Sequence, residues 1–377
     1  MTKVAVPVLH VCDKFGVRGS SIHGVSRLFS WWFPRYDRAR FSPSLVGLKQ
    51  KEPATDWLGE QGIPVHHLGR GRFDPRILGD LVALVRARGA RILHVHGYAA
   101  ADFGRLAARA TGARLVLHEH FADPRMPGYQ ALADRLLSPY THGAIAVSGS
   151  TREFLVQKRF VPPERVRLIW NGAPLEVFAP VRPERALALR RSLGLPDDAL
   201  VFGTIGRLST QKGHVFLLEA AARVLKSHRK ARLLVVGDGD LAAELRERAR
   251  SLGIDGQTLF AGHRTDVPEL LGVLDVFCIA SLYEGTPLAL FEAMAAGKAI
   301  VSTAVDGCRE VSRDGETGLL VPPKDAAALA GALERVIDGA TLRTALGTRA
   351  REASRQYDVQ ACVESMQAFY DELLTEA

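Results

Sequence analysis

Cysteine is scarce in this chain. Cys12, Cys278, Cys308 and Cys362 are the only four, and none forms a C-x-x-C pair. Over 377 residues that excludes a disulfide scaffold or zinc ribbon, and predicts reduced thiols in a cytosolic protein. Long apolar runs are missing as well. The apolar region 269–283 is broken by Asp275, so nothing reaches the roughly 18 residues a membrane span needs. The N-terminus carries Lys3 and a short apolar run, with no long apolar core or small-residue cleavage site. It reads as a first strand, not a signal peptide. Aromatics are only 7%. No basic run interleaved with aromatics, zinc-finger spacing or RNP-like pattern occurs, which argues against nucleic acid as a partner. The missing G-x-G-x-x-G weakens a nicotinamide dehydrogenase reading.

What is present is globular: 47% hydrophobic, 24% charged, mean hydropathy +0.02. The net charge of +8 is unevenly spread. Residues 1–175 hold 25 Lys and Arg against 13 Asp and Glu; the remainder holds 24 against 28. A basic first half invites an anionic partner such as a phosphorylated acceptor or an anionic membrane surface, or is simply a solvated Arg-rich face. Trp31-Trp32-Phe33-Pro34-Arg35, near Arg38 and Arg40, is either such a membrane contact or core packing at a helix end.

Strand-like runs at 4–9, 44–48, 92–95, 115–118 and 144–147 alternate with helical segments at 22–33, 57–61, 77–88 and 100–110, with another helix from Thr151. That rhythm predicts a parallel sheet covered by helices. It pauses at the proline-rich 171–183 and restarts, with strands at 200–205, 232–236, 258–260, 276–279, 299–303 and 318–321. The expected architecture is α/β: two Rossmann-like domains at 1–172 and 183–352, with a linker at 173–182. A helix over 353–377 closes the chain.

Two segments carry chemistry. Gly206-Arg207-Leu-Ser-Thr-Gln-Lys212-Gly213 follows a buried-looking strand. Ligands of open α/β sheets bind beyond strand carboxyl ends, where Arg207 and Lys212 can neutralise a diphosphate. The second, Glu284-Gly-Thr286-Pro287-Leu288-Ala-Leu-Phe-Glu292, places Thr286 at a helix N-cap and Pro287 at the first helical position. Backbone N–H groups at Leu288 then face the same edge as an anion site. Two carboxylates beside it suit hydroxyl-rich ligands. His94 and His96, like His118 and His120, share strand faces, but no carboxylate or thiol set completes a metal sphere. Asp238-Gly-Asp240 reads as turn chemistry rather than a metal motif.

The ordered set resembles retaining glycosyltransferase family 4, whose fold is GT-B. It comprises Gly-Arg-Leu-x-x-x-Lys-Gly at 206–213, Val-Val-Gly-Asp-Gly at 235–239, the two Glu of 284–292, 305–310, and Thr-Gly-Leu-Leu-Val-Pro-Pro at 317–323. The resemblance implies two domains facing across a cleft and a C-terminal helix crossing back to the first. It implies a UDP- or GDP-sugar donor held by the second domain, with no cofactor or metal required. Arg207 and Lys212 match the diphosphate positions. Glu284 matches the contact to the transferred sugar, Glu292 the contact to the ribose, and Arg264 a base-contacting loop position. His120 matches a first-domain histidine reaching the donor sugar, and Gly19 a glycine near the phosphates. In place of the family's Gly-Gly and acidic residue, the sequence here reads Gly19-Ser-Ser-Ile-His. The implied function is transfer of a hexose-type sugar to a glycan or lipid-linked acceptor in cell-surface polysaccharide or glycolipid biosynthesis. The implied location is cytoplasmic, peripheral on the inner face of the membrane. A nucleotide-sugar epimerase and a non-catalytic nucleotide-sugar-binding protein are the alternatives on the same fold.

Overall fold

The computed structural model describes residues 4–16, 24–123 and 125–375. The chain divides into two units. One comprises Met1–Asn171 with Val359–Ala377; the other is Gly172–Asp358.

The first unit contains β1 (Val6–Cys12), β2 (Phe41–Gly47), β3 (Val65–His67), β4 (Ile92–His96), β5 (Arg114–Glu119), β6 (Gly143–Ala146) and β7 (Val166–Leu168). They form one sheet in the order β3-β2-β1-β4-β5-β6-β7, and every pairing is parallel. Parallel strands are covered on both faces. One face of β1, β4 and β5 puts Leu9, Val11, Leu93, Val95, Leu115 and Leu117 into an aliphatic core. The other face is covered by Phe29, Trp32 and Phe33 and by Tyr370 of the helix Val359–Thr375. Trp32 and Phe33 are therefore core residues, while Trp31 and Arg35 are half-buried and Pro34 is exposed. Arg38 donates to the Phe33 carbonyl and Arg40 pairs with Asp371.

β2 begins three residues before the expected strand and runs through Pro43. β3 pairs only with Leu45–Gly47. Pro43 lies beyond its reach on that side, where a missing N–H breaks no ladder bond.

The second unit contains β8 (Val201–Ile205), β9 (Arg232–Val236), β10 (Thr258–Gly262), β11 (Val276–Ile279), β12 (Ala299–Thr303) and β13 (Leu319–Val321). They form a parallel sheet in the order β10-β9-β8-β11-β12-β13. Residues 173–182, expected as a linker, are counted with this unit. Ala173 and Phe178 are buried, and the Ala173 N–H donates to the Tyr357 carbonyl. No helix of the described residues is long and apolar enough to cross a membrane. All four cysteines are buried free thiols.

Candidate active site

The strand order of the second unit reverses between β8 and β11. Such switch points open a crevice at strand carboxyl ends. Both chemical segments leave the sheet there. Gly206 and Arg207 follow β8, and a short turn, Thr210–Lys212, brings the chain back over β11. Gly213 makes this return feasible. Its φ is +61°, and a Cβ there would lie 2.0 Å from the Ala280 carbonyl oxygen. The turn is fastened further by the Leu282 N–H on the Gln211 carbonyl at 2.8 Å.

The result is a compact polar cluster. Lys212 Nζ lies 2.5 Å from Glu284 Oε1, and Ser281 Oγ donates to the same oxygen at 2.6 Å. Gln211 Nε2 donates to the Tyr283 carbonyl at 3.1 Å. Glu284 is only 6% exposed, so its carboxylate depends on these donors in place of water. The sequence reading assigned Lys212 to the diphosphate and Glu284 to the sugar; the fold also binds them to each other. Lys212 has two further N–H donors available to a ligand. Arg207 is half-buried and has no carboxylate partner among the described residues. It is the unneutralised positive charge of this edge. Ser281 and Gln211 were not identified from sequence. Ser281, three residues before Glu284 on the same loop, could have been.

The helix after this loop spans Leu288–Ala295, and its cap is Pro287 rather than Thr286. Pro287 itself has extended backbone, with φ −71° and ψ 120°, so the cap falls one residue later than expected and Leu288 is the first helical residue. The Gly285-Thr286 segment is also packed flat on Gly307. A Cβ at Gly307 would lie 1.7 Å from the Gly285 carbonyl oxygen. Glu292 is 1% exposed. Arg264 lies just after β10 and is engaged twice by Asp266, Nε to Oδ1 at 2.8 Å and Nη2 to Oδ2 at 2.6 Å. Asp266 went unread in the sequence. Asp238 accepts from the N–H of Gly239 at 2.8 Å, the turn chemistry expected there.

In the first unit the corresponding reversal lies between β1 and β4. Asp13 fills it, accepting from the N–H groups of Ala99 and Ala100 at 3.0 and 2.6 Å. Gly19 lies outside the described residues. His120 follows β5 and bonds through Nε2 to His96 Nδ1 at 3.1 Å. Behind it sit His10, His94, His96 and His118, all buried. Burial pushes the His10 imidazole down to about 3, and the other three well below the usual range, where nearby histidines add to the effect. They are neutral. Two triads, His10/His94/His96 and His96/His118/His120, each bring three nitrogens within 4.8 Å. His10 completes one of them and was missed, because it lies 86 residues from His96 in sequence.

A second buried cluster adjoins this one. Arg105 and Arg159 share Asp134, and Arg159 also holds Glu119. Burial raises the Glu119 carboxyl to about 7 and Asp102 to about 6.

Family models match both halves: "Glycosyltransferase Family 4" over residues 22–177 and "Glycosyl transferases group 1" over 187–353. The Escherichia coli UDP-Gal:alpha-D-GlcNAc-diphosphoundecaprenol alpha-1,3-galactosyltransferase is 28% identical over 336 residues, covering 85% of this chain and 86% of the relative. The D-inositol 3-phosphate glycosyltransferase of Stackebrandtia nassauensis is 29% identical, covering 79% of this chain and 74% of the relative. Among solved structures, Anabaena HepE in complex with UDP superposes with a TM-score of 0.85 at 22% identity, covering 99% of this chain and 100% of HepE. The paired parallel sheets and the two matching models make the chain a member of glycosyltransferase family 4, a transferase of the GT-B fold.

Proposed function

We propose that the chain transfers a hexose from a UDP- or GDP-sugar to a glycan or lipid-linked acceptor, with retention of anomeric configuration and without a metal ion. The observation that carries this reading is the Lys212–Glu284–Ser281 cluster at the β8/β11 reversal, with Arg207 beside it. In the reaction the sugar–phosphate bond breaks and negative charge grows on the leaving diphosphate. Arg207, Lys212 and the N–H groups opening the helix at Leu288 stabilise that charge. Glu284 positions sugar hydroxyls, Glu292 the ribose, and Arg264 the base. The acceptor hydroxyl attacks on the leaving-group face and gives its proton to a phosphate oxygen. The relatives support the substrate classes: the Escherichia coli galactosyltransferase is named for UDP-Gal and a diphosphoundecaprenol acceptor, and HepE was solved with UDP-glucose.

The test is a donor panel with EDTA present. One nucleoside diphosphate at a hundredfold excess over its Kd stabilises the protein by about 2.7 kcal/mol, read as a thermal shift. Its sugar donor then hydrolyses slowly without acceptor. No shift with either UDP or GDP, and no hydrolysis of any donor, overturns the reading.

The acceptor reading deepens at the helix Gly128–Leu137, which is built inside out. Its buried face is polar: Gln130 and Asp134 are fully buried. Its outer face shows Tyr129 at 51%, Leu132 at 62% and Leu136 at 66% exposure. The ring of exposed Phe73 packs edge-on against Tyr129, and Arg72 lies over Phe73. Exposed Arg125 and Arg135 flank the patch. An apolar stripe with basic flanks matches an anionic bilayer surface. This face docks the enzyme peripherally on the inner leaflet, where a lipid-linked acceptor resides. The wild type floats with vesicles of anionic phospholipid at low salt, and Leu132→Ser/Leu136→Ser stays in the pellet. Equal flotation of both proteins, or of neither, refutes the docking face.

A further inference from the structure

At the amino-terminal edge of the first sheet, β2 starts before β3 begins to pair with it at Leu45. A cavity of about 370 Å³ lies beside that overhang. Pro43 and Ser44 of β2 bound it on one side, and the 62–66 segment leading into β3 on another. Arg88, the last residue of the helix Arg76–Arg88, closes a third. The inner wall is apolar: Phe33 and Ile63 are each 4% exposed, and Pro43 is buried. The charged and titratable groups are all of one sign. Arg38, His66 and Arg88 line the cavity, and no Asp or Glu does. Ser44 turns its hydroxyl away, to the Val8 carbonyl at 3.4 Å.

These three basic groups have capacity to spare. Arg38 Nη2 donates to the Phe33 carbonyl at 2.9 Å, which anchors the guanidinium at the cavity and leaves its other N–H groups to a ligand. Arg88 and His66 have no hydrogen bond and no carboxylate partner among the described residues. Other arginines of the same unit are neutralised: Arg40 by Asp371, Arg70 by Asp80 and Arg76 by Asp74. A basic residue ending a helix is favoured by the helix dipole. That accounts for Arg88, but not for Arg38 and His66 around the same apolar wall.

We propose that this cavity binds a small phosphomonoester with an apolar body. Arg38 and Arg88 take the phosphate oxygens, His66 adds a donor, and the Phe33–Ile63 wall takes the body. Two guanidinium groups match a dianion, and their planar forks suit phosphate oxygens. The volume lies near the lower end of the range for ligand sites, so the ligand is small. Burial, the Arg88 charge and His67 hold the His66 imidazole below its usual range. An anion between His66 and Arg88 reverses that and returns the proton. The cavity is not part of the sugar-transfer site. Asp13 and His120 follow the carboxyl ends of β1 and β5, at the opposite edge of the same sheet. The proposal therefore goes beyond the transfer reaction and does not rest on it.

The experiment titrates the full chain with phenyl phosphate, read by calorimetry and by histidine ¹H–¹⁵N spectra, with and without saturating UDP. One phenyl phosphate binds per chain whether or not UDP is present, the His66 signals move, and the His66 pKa rises. Inorganic phosphate, which has the head without the body, binds ~10-fold more weakly. Benzyl alcohol, which has the body without the charge, does not bind. Arg38→Gln/Arg88→Gln lowers phenyl phosphate affinity at least ~10-fold and keeps the urea midpoint of the wild type. Vesicles of phosphatidic acid separate the two sources of such a phosphate. Flotation of Leu132→Ser/Leu136→Ser that disappears when Arg38→Gln/Arg88→Gln is added assigns the site to a lipid headgroup. Phenyl phosphate binding without such flotation assigns it to a free ligand. Undiminished binding in Arg38→Gln/Arg88→Gln, static His66 signals, or displacement of phenyl phosphate by UDP overturns the proposal. A chain that binds no nucleotide leaves these readouts intact, so the two failures are distinguishable.

Discussion

Lys212→Ala and Arg207→Ala each lower sugar transfer at least ~10²-fold, the loss typical of a removed preorganised charge donor. The two act differently. Arg207 pairs with no carboxylate among the described residues, so under the proposed function its removal deletes stabilisation of the leaving diphosphate and little else. Arg207→Lys restores charge but not the planar fork, and recovers only part of the rate. Lys212 also holds Glu284, a carboxylate 6% exposed, through a 2.5 Å contact. Lys212→Ala strands that carboxylate with Ser281 as its remaining close donor. Glu284→Gln is therefore strongly non-additive with Lys212→Ala: the double variant is little worse than the worse single one. The measurement is kcat/KM with the donor that the panel selects. Near-normal turnover in both alanine variants defeats the assignment.

Lowering the pH from 7.5 to 5.5 destabilises the first unit by a few kcal/mol. His10, His94, His96 and His118 keep their folded pKa values far below the usual histidine range. Below about pH 6.5 the unfolded chain binds protons that the folded unit refuses, so stability falls as pH falls. At pH 5.5 each contributes about 1.4 kcal/mol of loss, roughly 5 together. His142, pushed down to about 4 by burial, adds to the loss, whereas Glu119, at about 7, Asp102, at about 6, and Asp13, also raised by burial, act in the opposite sense. Their folded forms take up protons more readily than the unfolded chain, and offset about half of the loss. Trp31, Trp32, Trp57 and Trp170 all lie in this unit, so tryptophan fluorescence during urea unfolding reports it selectively. Glu119→Gln removes part of the offset and steepens the decline. A stability that is flat or rising toward pH 5.5 contradicts the neutral histidine core.

The sequence made the second unit's site legible because its parts are local. Each follows a strand that announces itself by apolar residues, and Gly213 and Pro287 mark the turns. What stayed hidden depends on strand order. His10 meets His96 only because β1 lies beside β4, and Tyr370 joins them from the far end of the chain. The helix Gly128–Leu137 escaped for another reason. Apolar periodicity identifies helices by the face they bury, and this one buries Gln130 and Asp134 against Arg105 and Arg159. Pro43 hid the start of β2, since a proline inside a strand is tolerated only where no neighbour follows.

The C-terminal helix sets an order on biosynthesis. Gly172–Asp358 is a continuous stretch and can fold as soon as the ribosome releases it. The earlier sheet cannot finish with it. Its exposed flank awaits Phe369, whose ring fills the space over Gly143, and Tyr370, which closes the row of imidazoles. Those residues are translated after the whole of the second unit. The unit whose sheet is made first is thus the unit completed second, and a nascent chain halted before residue 359 carries a whole second unit and a first sheet still lacking its last helix.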